Sequence, residues 1–440
     1  MANRGKEPKR RLSAGTVFML ALLVLVLGGS ALVLLRLSSG ASVDLSKLHM
    51  SFLDLQPSQP PAEDEPVKAA AGTGEQEGGT AATLPPEKND NTQAGSGSGS
   101  FTLTFAGSVS LSGELRKNSV SQDAKVYDYS DVMMLIAPKI RADACVVFTE
   151  NLYCDSYKAN DTVAPESAAG LLQEAGFTVA ACGFSQAYAQ GADGIETTLM
   201  AFSERSILPV GLRYADDSGL PETAAPGGVR TAFLQYTDTV PAKTRKNMEK
   251  DGTSGMIPEA DPEQIACDIS TARERGASVV IVLLNWGKNG KDPDSRQREL
   301  ASAIAQAGAD LIVGCGSHVP QSAEYLTGSD GKQVLCVWSL GSLLTGDRSN
   351  TKHLSGYLLH VTVRSSGGSR AEILNPEYTP VYTWKYRQDS RYYYRVVDAS
   401  GQAPDGMDNE QMKNRNKAAE TVSNVLKGSP LAPGGQTDAP

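Results

Sequence analysis

Four short segments follow strand-like apolar runs and carry the side chains most suited to chemistry: residues 105–108, 182–186, 285–287 and 313–318. A hydrolytic metal centre needs several anionic or imidazole ligands that converge on one point. These segments supply one imidazole, that of His318, and no carboxylate. The sequence therefore predicts a strand-end site that is poor in metal ligands.

The order of the elements indicates how these segments come together. Up to residue 313, strand-like runs alternate with helical stretches, and the helices are expected at 131–140, 164–175, 194–206, 262–275 and 296–307. The later segments 333–340, 357–363, 371–374, 381–384 and 392–397 read as strands without long helices between them. Apolar strands alternating with helices predict an α/β fold, and the β-rich second half predicts a second sheet. We expect a layered αββα sandwich with a site beyond the carboxyl ends of its strands.

The N-terminal segment has the features of a membrane anchor. Residues 14–35 carry no charge and are long enough to span a bilayer, and five basic residues precede them. The positive-inside rule predicts a cytoplasmic tail at 1–13, a single transmembrane helix at 14–37 and an extracellular domain. The alternative is a signal peptide cleaved near residues 39–41, but the apolar run exceeds the usual ~7–15 residues of such a peptide.

The remaining organisation follows from composition. Residues 38–100 are rich in Pro, Gly, Ala and Ser, which predicts a disordered linker outside the cell. One large domain is expected at 101–398, and a C-terminal helix with a disordered tail at 399–440. Residues 407–427 have a helical pattern that leaves open whether the helix packs on the domain. The segment from Gly428 to Pro440 is expected to be disordered.

The charge and the cysteines restrict the range of partners. The net charge of −9 gives no support to nucleic-acid binding. The six cysteines, an even number, would permit disulfides in an exported domain. Three of them, Cys145, Cys182 and Cys336, lie in apolar runs, where a free cysteine often acts as a small buried hydrophobe.

Six groups of residues occur in a characteristic order at the predicted strand ends. They are GSVSL at 107–111, FTENLY at 148–153, GFTV at 176–179 with GFSQ at 183–186, NWGKN at 285–289, AGAD at 307–310 with GCGSH at 314–318, and WSLGSL at 338–343. In these residues the chain resembles the capsule-synthesis CapA family, also called the poly-γ-glutamate synthesis family. The resemblance covers about residues 101–384 and implies a fold similar to that of the calcineurin-like metallophosphoesterases.

The chain departs from the family pattern where the family has polar ligand-type residues. Ser108 replaces an Asp, Phe184-Ser185-Gln186 replaces Asn-Asn-His, Asn285 replaces a His, and Cys315 and Gly316 replace two adjacent histidines. We therefore expect no dinuclear metal centre and no cofactor, although a single divalent ion could be held by His318, Asn285 and Asn151. The resemblance implies a binding cleft lined by Ser108, Glu150, Asn151, Gln186, Asn285, Trp286, Cys315 and His318.

Several alternatives remain open at this cleft. His318, with Asn151, could still act in catalysis, or it could be a structural remnant. Cys182 and Cys315 could form a disulfide, join His318 in a zinc site, or remain two buried thiols. Cys315 with His318 could also act as a thiol nucleophile and its base. The bulky Phe184 could fill the former ligand space.

The resemblance leads to three expectations of function. The first is a membrane-anchored extracellular protein of capsule or poly-γ-glutamate synthesis or export, which binds anionic polymer or organises the proteins of a synthesis complex. The second is a divergent hydrolase of envelope phosphoester or amide bonds that uses His318. The third is a non-catalytic interaction module. Whether the protein is an enzyme is left open at this stage.

Overall fold

The computed structural model describes residues 98–120, 126–217, 219, 221–366 and 370–434. The expected cytoplasmic tail, the transmembrane helix at 14–37 and residues 38–97 of the expected linker lie outside these ranges. The linker prediction is wrong for residues 98–100, which belong to a strand. No helix within the described ranges is long and apolar enough to cross a membrane.

The strands and helices are numbered here in chain order. The strands are β1 (Ser98–Ser110), β2 (Ala144–Thr149), β3 (Leu152–Tyr153), β4 (Val163–Ala164), β5 (Val179–Ala181), β6 (Leu208–Val210), β7 (Glu222–Ala224), β8 (Thr231–Thr237), β9 (Val279–Asn285), β10 (Leu311–Cys315), β11 (Ala323–Thr327), β12 (Gln333–Val337), β13 (Ser342–Thr345), β14 (Ser355–Ser366), β15 (Glu372–Gln388), β16 (Arg391–Asp398) and β17 (Ala432–Pro433). The α-helices are α1 (Gly113–Asn118), α2 (Ala169–Glu174), α3 (Gly191–Ser203), α4 (Ala242–Asp251), α5 (Pro262–Glu274), α6 (Ser295–Ala307) and α7 (Asn409–Leu426).

The described residues form a mixed α/β fold with two large sheets, as the sequence predicts. The first sheet has the order β16-β15-β14-β1-β2-β5-β6, and β13 and β17 pair with β1 and β15. The second sheet has the order β11-β12-β10-β9-β8-β7. Strands β8, β9, β10 and β12 are parallel, as are β1, β2, β5 and β6, so their carboxyl ends lie at one edge of each sheet.

The cores show how the two sheets are layered. Alternate residues of β1 and β9, such as Phe105 and Ile281, belong to one core between the sheets. The opposite face of the first sheet packs against α2 and α3, and that of the second against α5 and α6. Helices therefore pack on the outer face of each sheet, and a shared core lies between the sheets. Strand β9 reads as a continuous apolar run because both of its faces are buried.

Two predicted elements differ from the structure. Residues 131–140, expected to be a helix, form turns and one short 3₁₀ segment, Ala137–Lys139, because the backbone bonds there join mostly residues three apart. The runs 371–374 and 381–384 lie along a single strand, β15, which begins at Glu372 and has 17 residues. The break in its apolar pattern falls where the strand is partly exposed and its register with β14 shifts around Asn375.

The C-terminal helix is part of the folded domain. Val422 and Leu426 of α7 enter the core between the sheets, and Ala418 packs with residues of β15. The expectation of disorder from Gly428 onward is wrong for residues 428–434. Leu431 is buried there, and β17 pairs with β15.

A buried carboxylate connects the two sheets at the edge opposite the candidate site. Asp310, directly before β10, accepts hydrogen bonds from the backbone N–H groups of Val280 (2.7 Å) and Ala371 (3.1 Å). The guanidinium of Arg273 lies 2.5 Å from the carboxylate, and that of Arg370 lies 3.4 Å away. Because Val280 belongs to the second sheet and Ala371 leads into β15 of the first, Asp310 joins them.

Replacing this carboxylate tests the connection. Asp310→Asn removes the carboxylate partner of the partly buried Arg273 and leaves Arg370 paired only with the exposed Asp330, so we expect the free energy of unfolding to fall by about 3–5 kcal/mol. Urea denaturation measures the change. Asp330→Asn is the matched control, because Asp330 also pairs with Arg370 but is solvent-exposed, and it should cost less than about 1 kcal/mol. Equal losses in the two variants would contradict the assignment.

Candidate functional site

The carbonyl oxygen of Gly341 holds the carboxyl ends of strands from both sheets together. It accepts a hydrogen bond from the backbone N–H of Ser108 in β1 (3.0 Å) and one from the Cys315 thiol in β10 (3.5 Å). Gly341 lies where the chain leaves β12 of the second sheet and enters β13 beside β1 of the first. The Ser-Leu-Gly motif is therefore the crossing point between the sheets.

Two glycines permit this close approach. A Cβ atom on Gly107 would lie 2.1 Å from the Gly341 oxygen. A Cβ atom on Gly314 would lie 2.2 Å from the indole nitrogen of Trp286 and 2.2 Å from the Trp338 oxygen. No side chain fits at such distances, so these glycines are required by packing whatever chemistry the site performs.

The side chains of His318 and Glu150 face each other at this edge. The imidazole Nδ1 lies 3.4 Å from a carboxylate oxygen of Glu150, which follows β2. About a third of the His318 side chain is exposed, whereas that of Glu150 is mostly buried. Burial raises the pKa of Glu150, and the positive charge of a protonated His318 opposes that shift.

His318 adopts a backbone conformation that is unusual for a residue with a side chain. Its φ of 58° lies in the left-handed region, which costs roughly 1–2 kcal/mol for a residue other than glycine. Its carbonyl oxygen accepts a hydrogen bond from the Ser342 hydroxyl (3.3 Å). The structure thus holds the imidazole toward Glu150 at a conformational cost.

Cys315 is a buried thiol beside these groups. Burial raises its pKa to about 12, with a further contribution from the Glu150 charge, while the adjacent Ser108 opposes the rise. The thiol therefore stays protonated at neutral pH. That state does not suit a nucleophile, which requires the thiolate.

Asn151 has a structural role in this geometry. Its side-chain oxygen accepts a hydrogen bond from the backbone N–H of Leu111 (2.7 Å), and its amide nitrogen donates to the Asp161 carbonyl (3.3 Å). The side chain is completely buried. Its polar groups connect the loop after β1 with the loop before β4, so they are not directed at a ligand.

The remaining cleft residues lie in different environments. Asn285 pairs with Cys315 in register and is partly exposed. Trp286, predicted to line the cleft, is instead buried in the outer core of the second sheet, where it stacks on Trp338 with ring centroids 5.4 Å apart. Its indole N–H donates to the Trp338 carbonyl (2.8 Å), which explains its burial. Gln186 is exposed in the turn after Phe184.

Cys182 and Phe184 pack on the other side of the first sheet. Both belong to the core beneath α2 and α3, whereas Cys315 belongs to the core between the sheets. The Cys182 thiol donates to the Val210 carbonyl (3.2 Å), and all six cysteines are free. The disulfide alternative is therefore wrong. Cys145, Cys182 and Cys336 are buried hydrophobes, as predicted.

The donor set does not fit a dinuclear metal centre. Glu150 and His318 are the ionisable donors that face each other, while Ser108, Asn285 and the protonated Cys315 are neutral. A two-metal site needs several carboxylates and imidazoles, one of them bridging. Across the residues that the structure describes, no three His, Cys, Asp or Glu side chains are grouped to hold an ion.

Two features of the site were not predicted from the sequence. The first is that Glu150, grouped with the cleft residues, is the charge partner of His318. The second is Gln235 of β8, whose amide bonds both the N–H (2.9 Å) and the carbonyl (2.7 Å) of Gly183 across the sheets. A separate polar cleft of about 470 Å³ lies elsewhere and is lined by Arg213, Arg245, Glu259 and Asp268, among others.

Comparison with known proteins places this site in a family context. The chain is 31% identical over 206 residues to the PGA biosynthesis protein CapA of Bacillus subtilis (strain 168), a match that covers 46% of this chain and 51% of that protein. It is 30% identical over 214 residues to the capsule biosynthesis protein CapA of Bacillus anthracis, covering 48% of this chain and 50% of that protein. The matches thus span about half the length of these relatives.

A solved structure, the calcineurin-like phosphoesterase YfkN from Bacillus subtilis, aligns with 75% of this chain and 98% of that chain at 12% identity and a TM-score of 0.38. A TM-score this low does not support any conclusion about the fold, which is described instead by the strand order and the cores given above. The bacterial capsule synthesis protein family PGA_cap matches residues 102–347, more than half of the chain. The resemblance predicted from the strand-end motifs is thereby confirmed, and the chain belongs to the bacterial capsule synthesis protein family PGA_cap.

Proposed function

We propose that the protein takes part in the synthesis or export of capsule or poly-γ-glutamate, and that it binds polymer or organises partner proteins without a dinuclear metal centre. The observation that carries the proposal is the strand-end site. Backbone contacts hold its strand ends together, and among the eight predicted cleft residues Glu150 and His318 are the pair of charged types that face each other. The names of the two CapA relatives support the choice of polymer.

The proposal includes a location at the cell membrane. Residues 14–37 would form a single anchor helix with the N-terminus in the cytoplasm, and residues 38–97 would tether the domain outside the cell. The uncharged run at 14–35 and the basic residues before it support this arrangement. We also propose that the layered fold is related to that of the calcineurin-like metallophosphoesterases.

Two measurements test a role without metal-dependent catalysis: the metal content of the purified protein and the amount of polymer that cells produce with a His318 variant. We expect the purified full-length protein to contain fewer than two tightly bound transition-metal ions per chain, as measured by elemental analysis. In producing cells that lack the native copy, we expect His318→Ala to restore extracellular polymer to the wild-type level, because binding does not require the imidazole.

Two results would contradict this role. Two bound ions per chain would show that a dinuclear centre forms despite the donor set. A His318→Ala variant that is present at the membrane in normal amount but restores no polymer would show that the imidazole takes part in chemistry. If polymer production is normal in cells that lack the protein altogether, the assignment to polymer synthesis is itself wrong.

The Glu150–His318 pair favours a second candidate, a divergent hydrolase. A buried carboxylate that faces an imidazole can orient the ring and stabilise its protonated form, which is the arrangement of a general base with its positioning residue. The exposed third of His318 would receive a proton from water or substrate. Cys315 would take no part, because its thiol stays protonated.

The pH dependence of the free energy of unfolding tests whether the ionised form of Glu150 destabilises the folded protein. The pKa of Glu150 is higher in the folded protein than in the unfolded chain, so its ionisation lowers the free energy of unfolding. This loss of stability is complete above the folded pKa and is absent below the ordinary pKa of a glutamate, at about pH 4. We expect Glu150→Gln to raise the free energy of unfolding by on the order of 1 kcal/mol at about pH 7.5 and to lose that gain as the pH falls to about 4.

The matched control is Glu299→Gln, which changes an exposed glutamate in the middle of α6. Its stability should follow that of the wild type at both pH values. A loss of stability in Glu150→Gln at neutral pH would show that the ion pair with His318 outweighs the cost of burial. The pair would then be structural, and the hydrolase candidate would lose its support.

A further inference from the structure

The hairpin of β15 and β16 extends past the first residue of β14 with an ordered tip, at the edge of the first sheet where β1 ends. The two strands pair without interruption from Val381 with Asp398 to Gln388 with Arg391. The two turn residues, Asp389 and Ser390, have φ values of 47° and 67°, as in the tight two-residue turns that match the twist of a hairpin. The side chains near the tip are therefore held in a fixed arrangement.

One face of this hairpin carries a row of stacked aromatic rings. The ring centroids of Trp384 and Tyr386 are 4.5 Å apart with an interplanar angle of 29°. Those of Tyr386 and Tyr393 are 5.6 Å apart at 23°. Trp384 is buried at the base, and 36% of Tyr393 is exposed near the tip, so the row leads from the core to solvent. We call this row, with Arg391 and Arg395, the aromatic–arginine face.

The two arginines place positive charge over these rings. The guanidinium of Arg395 lies 5.3 Å from the Tyr386 ring, and that of Arg391 lies 6.0 Å from the Tyr393 ring. Arg391 donates to the carbonyls of Asn118 and Val120, so no carboxylate pairs with it among the described residues. Arg395 pairs with the exposed Asp131 at 3.0 Å, and its buried Nε has no hydrogen-bond partner.

The charge of the hairpin differs from that of the whole chain. Residues 384–395 contain four basic side chains and one acidic one, whereas the net charge of the protein is −9. A surface ion pair such as Arg395–Asp131 contributes little to stability, so a ligand carboxylate can replace Asp131. Exposed rings add contact with flat or apolar groups of a ligand. Such a surface suits a ligand that is both anionic and extended.

We propose that the aromatic–arginine face binds an extended polymer bearing carboxylates at regular intervals, a proposal that rests on the proposed role in polymer synthesis. Arg391 and Arg395 are four residues apart on β16, about 13 Å, so one polymer chain can place carboxylates on both. The rings between them contact the backbone of the polymer. The hairpin lies beyond residue 347, the last residue of the family match, so this surface is not inferred from the family.

Paired substitutions test the surface. Tyr393→Ser with Arg395→Gln removes one exposed ring and one arginine that has a surface carboxylate partner. The control, Tyr325→Ser with Arg245→Gln, removes the same chemistry elsewhere, since Tyr325 is similarly exposed and Arg245 pairs with Glu259. In fluorescence-polarisation titrations of the purified full-length protein with labelled poly-γ-glutamate, we expect about tenfold weaker binding for the first variant. The control should remain within about twofold of the wild type.

A second pair of variants tests the surface by removing the carboxylate beside an arginine, which is expected to strengthen polymer binding rather than weaken it. Asp131→Asn frees the Arg395 guanidinium and should tighten binding by about twofold to threefold. Glu259→Gln removes the same charge beside Arg245 and should leave the affinity unchanged. Because both are conservative surface changes, a general loss of fold cannot imitate the expected gain.

The outcomes separate this proposal from the proposed function. If the wild-type protein binds poly-γ-glutamate and all variants bind equally, the surface is wrong and the function stands. If the control variant is the weaker one, the polymer lies in the polar cleft beside Arg245, which also overturns the proposal. Equal binding of a neutral dextran, or preferential binding of anionic phospholipid vesicles, would show that carboxylates are not recognised. If the wild type binds no polymer, the polymer-binding role falls together with the surface.

Discussion

The carbonyl of Gly341 is the point on which the candidate site depends. A strand end in each sheet donates to it, one through the N–H of Ser108 and the other through the thiol of Cys315. The sheets come this close only because Gly107 lacks a side chain, since a Cβ there would lie 2.1 Å from the Gly341 oxygen. The contact therefore needs only the backbone, a glycine and a small polar side chain.

Hydrogen bonds within the protein hold the strand ends of the candidate site and their loops in place. The side-chain amide of Gln235 bonds the backbone of Gly183, and the side-chain oxygen of Asn151 accepts from the backbone N–H of Leu111. Gly107 and Gly314 are constrained by this packing, because a Cβ atom at either position would lie within 2.2 Å of a neighbouring atom. Glu150 and His318 combine a partly desolvated charge with an unusual backbone conformation.

Much of the fold could be predicted because its signals are local. The apolar run of β9 and the helices α5 and α6 follow from residues near each other in sequence, and the predicted ends of the two helices differ from the observed ones by at most one residue. The pairing of Glu150 with His318 and the burial of Trp286 depend on contacts between distant segments, which no local pattern contains. Strand β15 was read as two strands for a similar reason, since its middle is kept in the sheet by β14 rather than by its own apolar residues.

The length of β15 has a mechanical consequence. Its base is fixed where the Asp310 carboxylate accepts the N–H of Ala371, and its far end carries the hairpin tip. A regular strand of 17 residues spans about 58 Å, and β15 is slightly shorter because Asn375 departs from the extended conformation. A pull on the tip along the strand would load the hydrogen bonds to β14 and β16 in shear, on either side of the irregularity at Asn375.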